Sequence, residues 1–167
     1  MSEKEDISTG LAGTDPILIA TDFSEDSRAA LIWGLKYAAL VSAPIIVLHV
    51  VHDPADSPGF YNKPGHSALL PLEDVAEEKM NDFILEVSED NPELENLLAI
   101  NKKFATGLPA GRIIEFADGE KAQLIVIGTR GRTGLSNLLL GSIAKQVLQG
   151  ANTPVVVVKS DRQEQLD

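Results

Sequence analysis

Short apolar runs, rich in isoleucine and valine, alternate along this chain with segments in which apolar residues recur every three or four positions. Such runs are typical of buried strands, and the longer spacing is typical of helices. Alternating strands and helices form a parallel sheet covered on both faces, because each parallel connection needs a long crossover. The pattern predicts β-α-β-α-β-α-β-α-β, with strands at Ile17–Thr21, Ile45–Val51, Leu98–Ala105, Gln123–Ile127 and Pro154–Val158.

The predicted fold class is a three-layer α/β/α domain with five parallel strands in the order 3-2-1-4-5. This order follows if the chain builds outward from the first strand and then returns to build on its other side, with right-handed crossovers. Strands one and four are then neighbours at the point where the order reverses, and ligands bind there, outside the carboxyl ends. The third strand, which carries Lys102 and Lys103, is a candidate edge strand, and we interpret the two lysines as solvated.

The predicted helices begin near recognisable signals. Ser24 can cap the first helix, with Glu25 and Asp26 in its positive first turn. Leu72–Val87 has an apolar stripe, a third helix follows Pro109, and a fourth runs from about Ser142 to Gln149.

The length of 167 residues fits one domain. Residues 1–14 and the end of the chain from Ser160 are polar and predict loose tails, so we expect a domain over 15–160 and a tail over 161–167. Residues 53–71 contain four prolines and two glycines, which predicts a long loop.

Charge and cysteine content exclude several classes of function. Acidic residues outnumber basic ones by 25 to 14, giving a net charge of −11, which repels nucleic-acid phosphates. The chain has no cysteine, so it has no disulfide, thiolate metal site or thiol catalyst. Its start does not resemble a signal peptide, and no apolar run approaches the ~18 residues of a membrane span. We therefore expect a cytoplasmic protein that binds neither nucleic acid nor membrane.

A glycine-rich segment after the fourth strand is the main candidate for chemistry. Gly128 and Gly131 follow the strand, and Gly141-Ser142 opens the last helix. Glycines let the backbone approach a ligand, and free N–H groups at a helix N-terminus bind anions. Arg130 and Arg132 add positive charge to this acidic chain. The alternative is structural: the glycines form a turn, and Ser142 caps its helix.

Asp22, directly after the first strand, faces the same predicted crevice. Its carboxylate can bond ribose hydroxyls or hold Mg²⁺ through water, or it can form an Asx-type turn before the helix. His49 and His52 make a poor metal pair, since they are expected on opposite faces of a strand. The chain contains neither G-x-x-x-x-G-K-[ST] nor G-x-G-x-x-G, which disfavours a P-loop motor and an ordinary NAD dehydrogenase.

The spacing Gly128-x₂-Gly131-x₉-Gly141-Ser142 resembles the G-2x-G-9x-G(S/T) motif of ATP-binding universal stress proteins. The likeness extends from about Asp15 to Ser160. It includes ILIATDFS at Ile17–Ser24, the end of the second strand at Leu48–Val51, Gly107-x-Pro109, and Thr153-Pro154 with four valines. The resemblance implies a Rossmann-like fold of the adenine nucleotide α-hydrolase type. The chain departs from the family at Ala20, where proline is common, and at Arg130, where histidine is common.

The resemblance also implies residue roles. The ligand would be ATP, ADP or AMP with Mg²⁺, and Asp22 would lie by the adenosine and the metal. The last strand, Val155, Val156, Val157 and Val158, would pair in a homodimer. The implied nucleotide-binding residues are Ala20, Thr21, Asp22, Val50, Ile127, Gly128, Arg130, Gly131, Gly141, Ser142 and Ile143.

Three functions remain open from the sequence. The first is a regulatory or sensor protein of the stress response that holds ATP and acts as a dimer. The second is an enzyme, such as a slow ATP hydrolase, although no catalytic base other than Asp22 suggests itself. The third is an interaction module that works without nucleotide.

Overall fold

The computed structural model describes residues 14–52, 72–97, 99–131 and 140–161. The predicted long loop over 53–71, the centre of the glycine-rich segment at 132–139 and most of both predicted tails lie outside the described residues. Thr14, assigned to the first tail, donates a hydrogen bond of 2.8 Å from its hydroxyl to the carbonyl oxygen of Ser42.

The described residues form five parallel strands and four α-helices in the predicted order. A 3₁₀ turn at Pro92–Leu97, which was not predicted, precedes the third strand. The strands are β1 Ile17–Thr21, β2 Ile45–Val51, β3 Ile100–Thr106, β4 Leu124–Gly128 and β5 Val155–Val158. The helices are α1 Glu25–Val41, α2 Leu72–Asp90, α3 Pro109–Gly119 and α4 Ser142–Gly150.

The sheet order is β3-β2-β1-β4-β5, which confirms the predicted fold class. β1 pairs with β2 on one side, with Thr21 opposite His49, and with β4 on the other, with Ile19 opposite Val126. β3 is an edge strand, as predicted, and its Lys102 is exposed and donates to Asn81 Oδ1 at 2.6 Å.

Two apolar cores lie on opposite faces of the sheet, because alternate residues of a strand point to opposite sides. Ile17 and Ile19 contribute to the core under α1 and α2, whereas Leu18 and Ala20 contribute to the core under α3 and α4. β1, β2 and β4 are buried along their whole length, which explains why their sequences are apolar at nearly every position rather than alternating, with Thr21 and His49 as buried polar exceptions.

The edge strand β5 differs from the central strands. All four of its valines are half-buried, although they contribute to both cores. In the described part of the chain β5 pairs only with β4, so its other side has no strand partner.

Candidate functional site

The candidate site lies at the carboxyl ends of β1 and β4, where the strand order reverses. β1 leads into α1 on one face of the sheet, and the chain after β4 leads to α4 on the other face. Loops that diverge in this way leave a crevice, the usual ligand position in such sheets. The fold therefore brings together the two segments predicted to form the site.

Side-chain hydrogen bonds to the backbone hold the turn between β1 and α1. Oδ1 of Asp22 accepts the N–H of Ser24 at 3.0 Å, and the Thr21 hydroxyl oxygen accepts the N–H of Phe23 at 3.1 Å. Ser24 caps α1 as predicted, its hydroxyl oxygen accepting the N–H of Ser27 at 3.2 Å. The Asx-type turn that was an alternative for Asp22 is present, and it uses Oδ1 of the carboxylate.

Phe23 takes a backbone conformation that is rare for a bulky residue. Its φ is 65°, in the left-handed region, which costs about 1–3 kcal/mol for such residues. Its ring centroid lies 4.3 Å from that of His49 and 5.5 Å from that of Phe83. His49 is buried, and its Nδ1 donates to the carbonyl oxygen of Thr21 at 2.8 Å. These contacts from β2 and α2 help hold the strained turn in place.

Gly128 allows the first turn of α1 to pack directly on the end of β4. A Cβ atom placed on Gly128 would lie 2.7 Å from the backbone carbonyl carbon of Asp26 and 2.9 Å from the Asp26 Cβ. Because backbone atoms cannot move aside without shifting the helix, only glycine fits at this position.

Gly131 and Gly141 bring the loop backbone, Asp22 and the start of α4 together. A Cβ atom on Gly131 would lie 2.8 Å from Oδ2 of Asp22. A Cβ atom on Gly141 would lie 3.0 Å from the carbonyl oxygen of Thr129 and 3.8 Å from the backbone nitrogen of Gly131. The two glycines, far apart in the loop sequence, therefore meet beside the Asp22 carboxylate.

α4 begins without a side-chain cap from any described residue. Gly141 is the N-cap residue, and its own N–H donates to the carbonyl oxygen of Thr129 at 2.6 Å. Ser142 is the first residue of the helix and is exposed, so the alternative in which Ser142 caps its helix is wrong. The first N–H groups of a helix have no partner within it and carry partial positive charge, which suits them to an anion.

A buried carboxylate, Asp26, connects the two loops. Its side chain is 1% exposed. Oδ2 accepts the Thr129 hydroxyl at 2.5 Å, the Arg130 backbone N–H at 3.0 Å and Arg130 Nε at 3.2 Å. Oδ1 accepts the hydroxyl of Ser160 at 2.5 Å and its N–H at 3.3 Å. Asp26 therefore holds Ser160, the last residue of the expected domain 15–160, against the first turn of α1, although the polar sequence from Ser160 onward suggested a loose tail.

Asp26, Thr129 and Ser160 are not among the site residues predicted from the sequence. In the sequence, Asp26 is notable only as an acidic residue that suits the first turn of a helix. A signal was available, since Asp26 stands four and eight positions before the inward-facing Ala30 and Gly34 and so shares their helix face. A carboxylate on a buried face requires hydrogen-bonding partners.

The environment of Asp26 keeps it ionised. Burial raises the pKa of its carboxyl group, but hydrogen bonds from Ser160, Thr129 and Arg130 outweigh burial and lower the pKa from 3.8 to about 2. The positive charge paired with Asp26 is the guanidinium of Arg130, and the Arg130 side chain is 13% exposed. Nη2 of Arg130 is buried and has no hydrogen-bond partner among the described residues.

The other predicted site residues lie on the strands and helix that border this crevice. Ala20 and Thr21 end β1, and Ile127 and Gly128 end β4, all of them buried. Val50 is buried in β2 and follows His49, the partner of Thr21 in the sheet. Ile143, in the first turn of α4, packs against the core under α3 and α4. Val155–Val158, the predicted dimer residues, form the edge strand β5.

The described residues contain no group of three or more His, Asp or Glu side chains that could hold a metal ion by themselves. His52 lies just beyond β2, and its Nδ1 is 3.2 Å from the carbonyl oxygen of Val50. Within the described ranges, the helices are too short or too polar to cross a membrane.

Comparison with known proteins gives a consistent family assignment. The model of the universal stress protein family matches residues 13–159. Two universal stress proteins of Methanocaldococcus jannaschii are 33% and 30% identical to this chain. The first alignment covers 89% of this chain and 84% of that relative, and the second covers 86% and 93%.

Solved structures share the fold. A universal stress protein from Archaeoglobus fulgidus superposes with a TM-score of 0.63 at 24% identity, covering 88% of this chain and 100% of that one. Another from A. fulgidus, in complex with dAMP, gives 0.58 at 24% identity over 87% and 98%. A universal stress protein in complex with cAMP gives 0.59 at 21% identity over 87% and 97%. Together with the parallel sheet and the glycine-rich loop at its reversal point, the family match shows that this chain belongs to the universal stress protein family.

Proposed function

We propose that this protein binds an adenine nucleotide, ATP, ADP or AMP, in the crevice between β1 and β4, and acts as a regulatory sensor in the stress response. The observation that carries the proposal is the meeting of Gly131 and Gly141 beside Asp22 at the start of α4, which no described side chain caps. Glycine backbone N–H groups and the first N–H groups of a helix favour a phosphate chain at this point.

The electrostatics support an anion site built from the backbone. The chain carries a net charge of −11, which opposes the approach of a polyphosphate. The charge of Arg130 is already partly balanced by Asp26. Attraction to phosphate is therefore expected from the N-terminal N–H groups and the dipole of α4, together with the N–H donors of Arg130 that Asp26 does not engage.

The proposed residue roles are those that the family resemblance implies. Adenine would lie near the backbone of Val50 and the ends of Ala20 and Thr21, and ribose near Asp22, Ile127 and Gly128. The phosphates would reach Gly131, Gly141, Ser142 and Ile143. Complexes of related folds with dAMP and cAMP support an adenine nucleotide as the ligand class.

A magnesium ion fits this site only as a companion of the nucleotide. Mg²⁺ is usually bound by one or two carboxylates together with substrate phosphates and waters, rather than by a cage of protein ligands. Asp22 provides one carboxylate at the crevice, with Oδ1 engaged by Ser24 and Oδ2 facing Gly131. When bound, the ion would balance phosphate charge.

A homodimer through β5 is part of the proposal. An apolar edge strand with free backbone groups is stabilised when it pairs with another strand. The half-buried valines of β5 present such an edge, which a second copy of this chain could extend into a continuous sheet.

The test is calorimetry with ATP and Mg²⁺ on the purified protein, together with mass spectrometry of any ligand released on denaturation. Gly131→Ala should weaken binding, because the added Cβ would lie 2.8 Å from Asp22 Oδ2 and would displace that carboxylate where the phosphates are proposed to lie. Gly111→Ala is the matched control, since a Cβ there meets nothing within 4 Å. Circular dichroism of both variants checks that they fold.

Wild-type affinity in Gly111→Ala and a loss of affinity in a folded Gly131→Ala support the site. Unchanged affinity in Gly131→Ala places the phosphates elsewhere. If the wild-type protein releases no nucleotide on denaturation and does not bind ATP at millimolar concentration, the result contradicts the proposed function and favours an interaction module.

A further inference from the structure

We propose, on the basis of the nucleotide site proposed above, that Asp26 is a positioning residue: it orients Arg130 so that the guanidinium presents its remaining N–H groups to the nucleotide phosphates. Asp26 itself would not touch the ligand. Its effect on binding would pass through Arg130 and the loop backbone that follows β4.

Asp26 restrains Arg130 at two points of the same residue. The backbone N–H lies 3.0 Å and the side-chain Nε 3.2 Å from one carboxylate oxygen, Oδ2. These two contacts fix the side chain relative to its own backbone. The Thr129 hydroxyl, 2.5 Å from the same oxygen, adds a third restraint to this part of the loop.

The carboxylate is itself firmly held. Its other oxygen, Oδ1, accepts the N–H and hydroxyl of Ser160, and its side chain is 1% exposed. Asp26 also sits in the first turn of α1, packed against Gly128 of β4. A charged group that is screened from water and bonded at both oxygens imposes a well-defined geometry on its partner.

Arg130 retains unused capacity after pairing with Asp26. A guanidinium has five N–H donors, and Asp26 engages only the one on Nε. Nη2 is buried and has no partner among the described residues. Buried polar groups are nearly always hydrogen-bonded in folded proteins, so a donor that no described residue satisfies is available to a further acceptor such as a ligand phosphate.

Arg130 also lies close to both chain segments of the proposed nucleotide site. Its Cα would lie 3.5 Å from a Cβ on Gly141, the N-cap of α4, and its carbonyl oxygen accepts the Ser24 hydroxyl at 3.4 Å. The residue therefore lies between the two segments proposed to hold ribose and phosphate. Arginine binds phosphate with a planar fork, which is effective only when its orientation is set.

The test compares ATP, AMP and adenosine as ligands of the full chain by calorimetry. Asp26→Asn keeps the shape of the side chain but removes its charge, and Glu25→Gln, an exposed neighbour in the same helical turn, is the matched control. A misoriented Arg130 should weaken ATP binding by about tenfold or more, the usual effect of losing a charge-assisted hydrogen bond. Adenosine affinity should not change, and Glu25→Gln should bind all three ligands as wild type does.

A double-variant cycle separates positioning from general damage. If Asp26 acts through Arg130, Arg130→Gln alone should lose ATP affinity, and adding Asp26→Asn to it should cause no further loss. If Asp26→Asn does not fold, Ser160→Ala takes its place in the same comparison. It removes the hydroxyl donor to Oδ1 of Asp26 and leaves all contacts of Arg130, so it perturbs Asp26 more mildly.

If Asp26→Asn loses the same affinity for ATP and for adenosine, the inference is overturned, because Asp26 would then have a purely structural role. Unchanged or tighter ATP binding by Asp26→Asn would also overturn it, since it would mean that Asp26 withholds Arg130 from the ligand. Either result leaves the nucleotide site standing. A wild-type protein that binds no nucleotide removes both the site and this role.

Discussion

Replacing Asp26 by asparagine should destabilise the protein by an amount that depends on pH. The folded state lowers the pKa of Asp26 from 3.8 to about 2, because its hydrogen bonds outweigh the cost of burial. A tenfold change in proton affinity corresponds to about 1.4 kcal/mol, so the ionised group contributes about 2 kcal/mol to the free energy of unfolding at neutral pH.

The sign follows from the direction of the pKa change. A carboxyl group with a lower pKa in the folded state stabilises the fold above its unfolded pKa of 3.8. That contribution falls as the pH drops below 3.8 and is lost below about pH 2, where both states become protonated. The stability difference between wild type and Asp26→Asn should therefore shrink by about 2 kcal/mol between neutral pH and pH 2.

Urea unfolding followed by circular dichroism at several pH values between 7 and 2 measures this difference. Other acidic groups titrate in the same range, but they are common to both proteins and largely cancel in the comparison. Glu25→Gln is the control, because Glu25 is exposed in the same turn of α1 and should change stability by no more than about 1 kcal/mol. A stability difference for Asp26→Asn that stays constant with pH would refute the reasoning, since it would show that the charge of Asp26 contributes nothing.

Two further predictions concern the packing at β4 and the edge at β5. Gly128→Ala should lower the free energy of unfolding by about 1–3 kcal/mol, because its Cβ would overlap the backbone of Asp26; unchanged urea stability would contradict the tight approach of α1 to β4. Val157→Lys should shift the protein from dimer to monomer in analytical ultracentrifugation, because a charge on the half-buried edge opposes strand pairing; a wild-type protein that is monomeric, or a dimer that is unaffected, would contradict pairing through β5.

Much of the fold could be predicted from the sequence because its signals are local. Ile17–Thr21 and Ile45–Val51 were predicted with the bounds that the structure has, since their apolar runs are short and sharply ended. The predicted start of β3 was two residues too early, because its polar sequence, with Lys102 and Lys103, has no sharp boundary. The 3₁₀ turn at Pro92–Leu97 gave no periodic signal.

The glycine spacing after β4 likewise pointed to the region of the site, but not to how its parts meet. Ser142 does not cap its helix, because the hydrogen bond from the Gly141 N–H to the carbonyl oxygen of Thr129 makes Gly141 the N-cap residue. The sequence does not reveal this contact. Asp22 forms the Asx-type turn through Oδ1 while its Oδ2 lies near Gly131, so the turn leaves the carboxylate at the crevice where the nucleotide is proposed to bind.

Apolar periodicity by itself determined which segments form strands and α-helices and in what order they follow along the chain. This is because the preference of a segment for strand or helix is set by residues that are near one another in the sequence. Only the tertiary structure decided the role of Asp26, whose partners Thr129, Arg130 and Ser160 are 103, 104 and 134 positions away. No local pattern contains such a contact. It arises because parallel strands bring their carboxyl ends to one edge of the sheet, and because a carboxylate buried there must find donors from whichever chain segments arrive beside it.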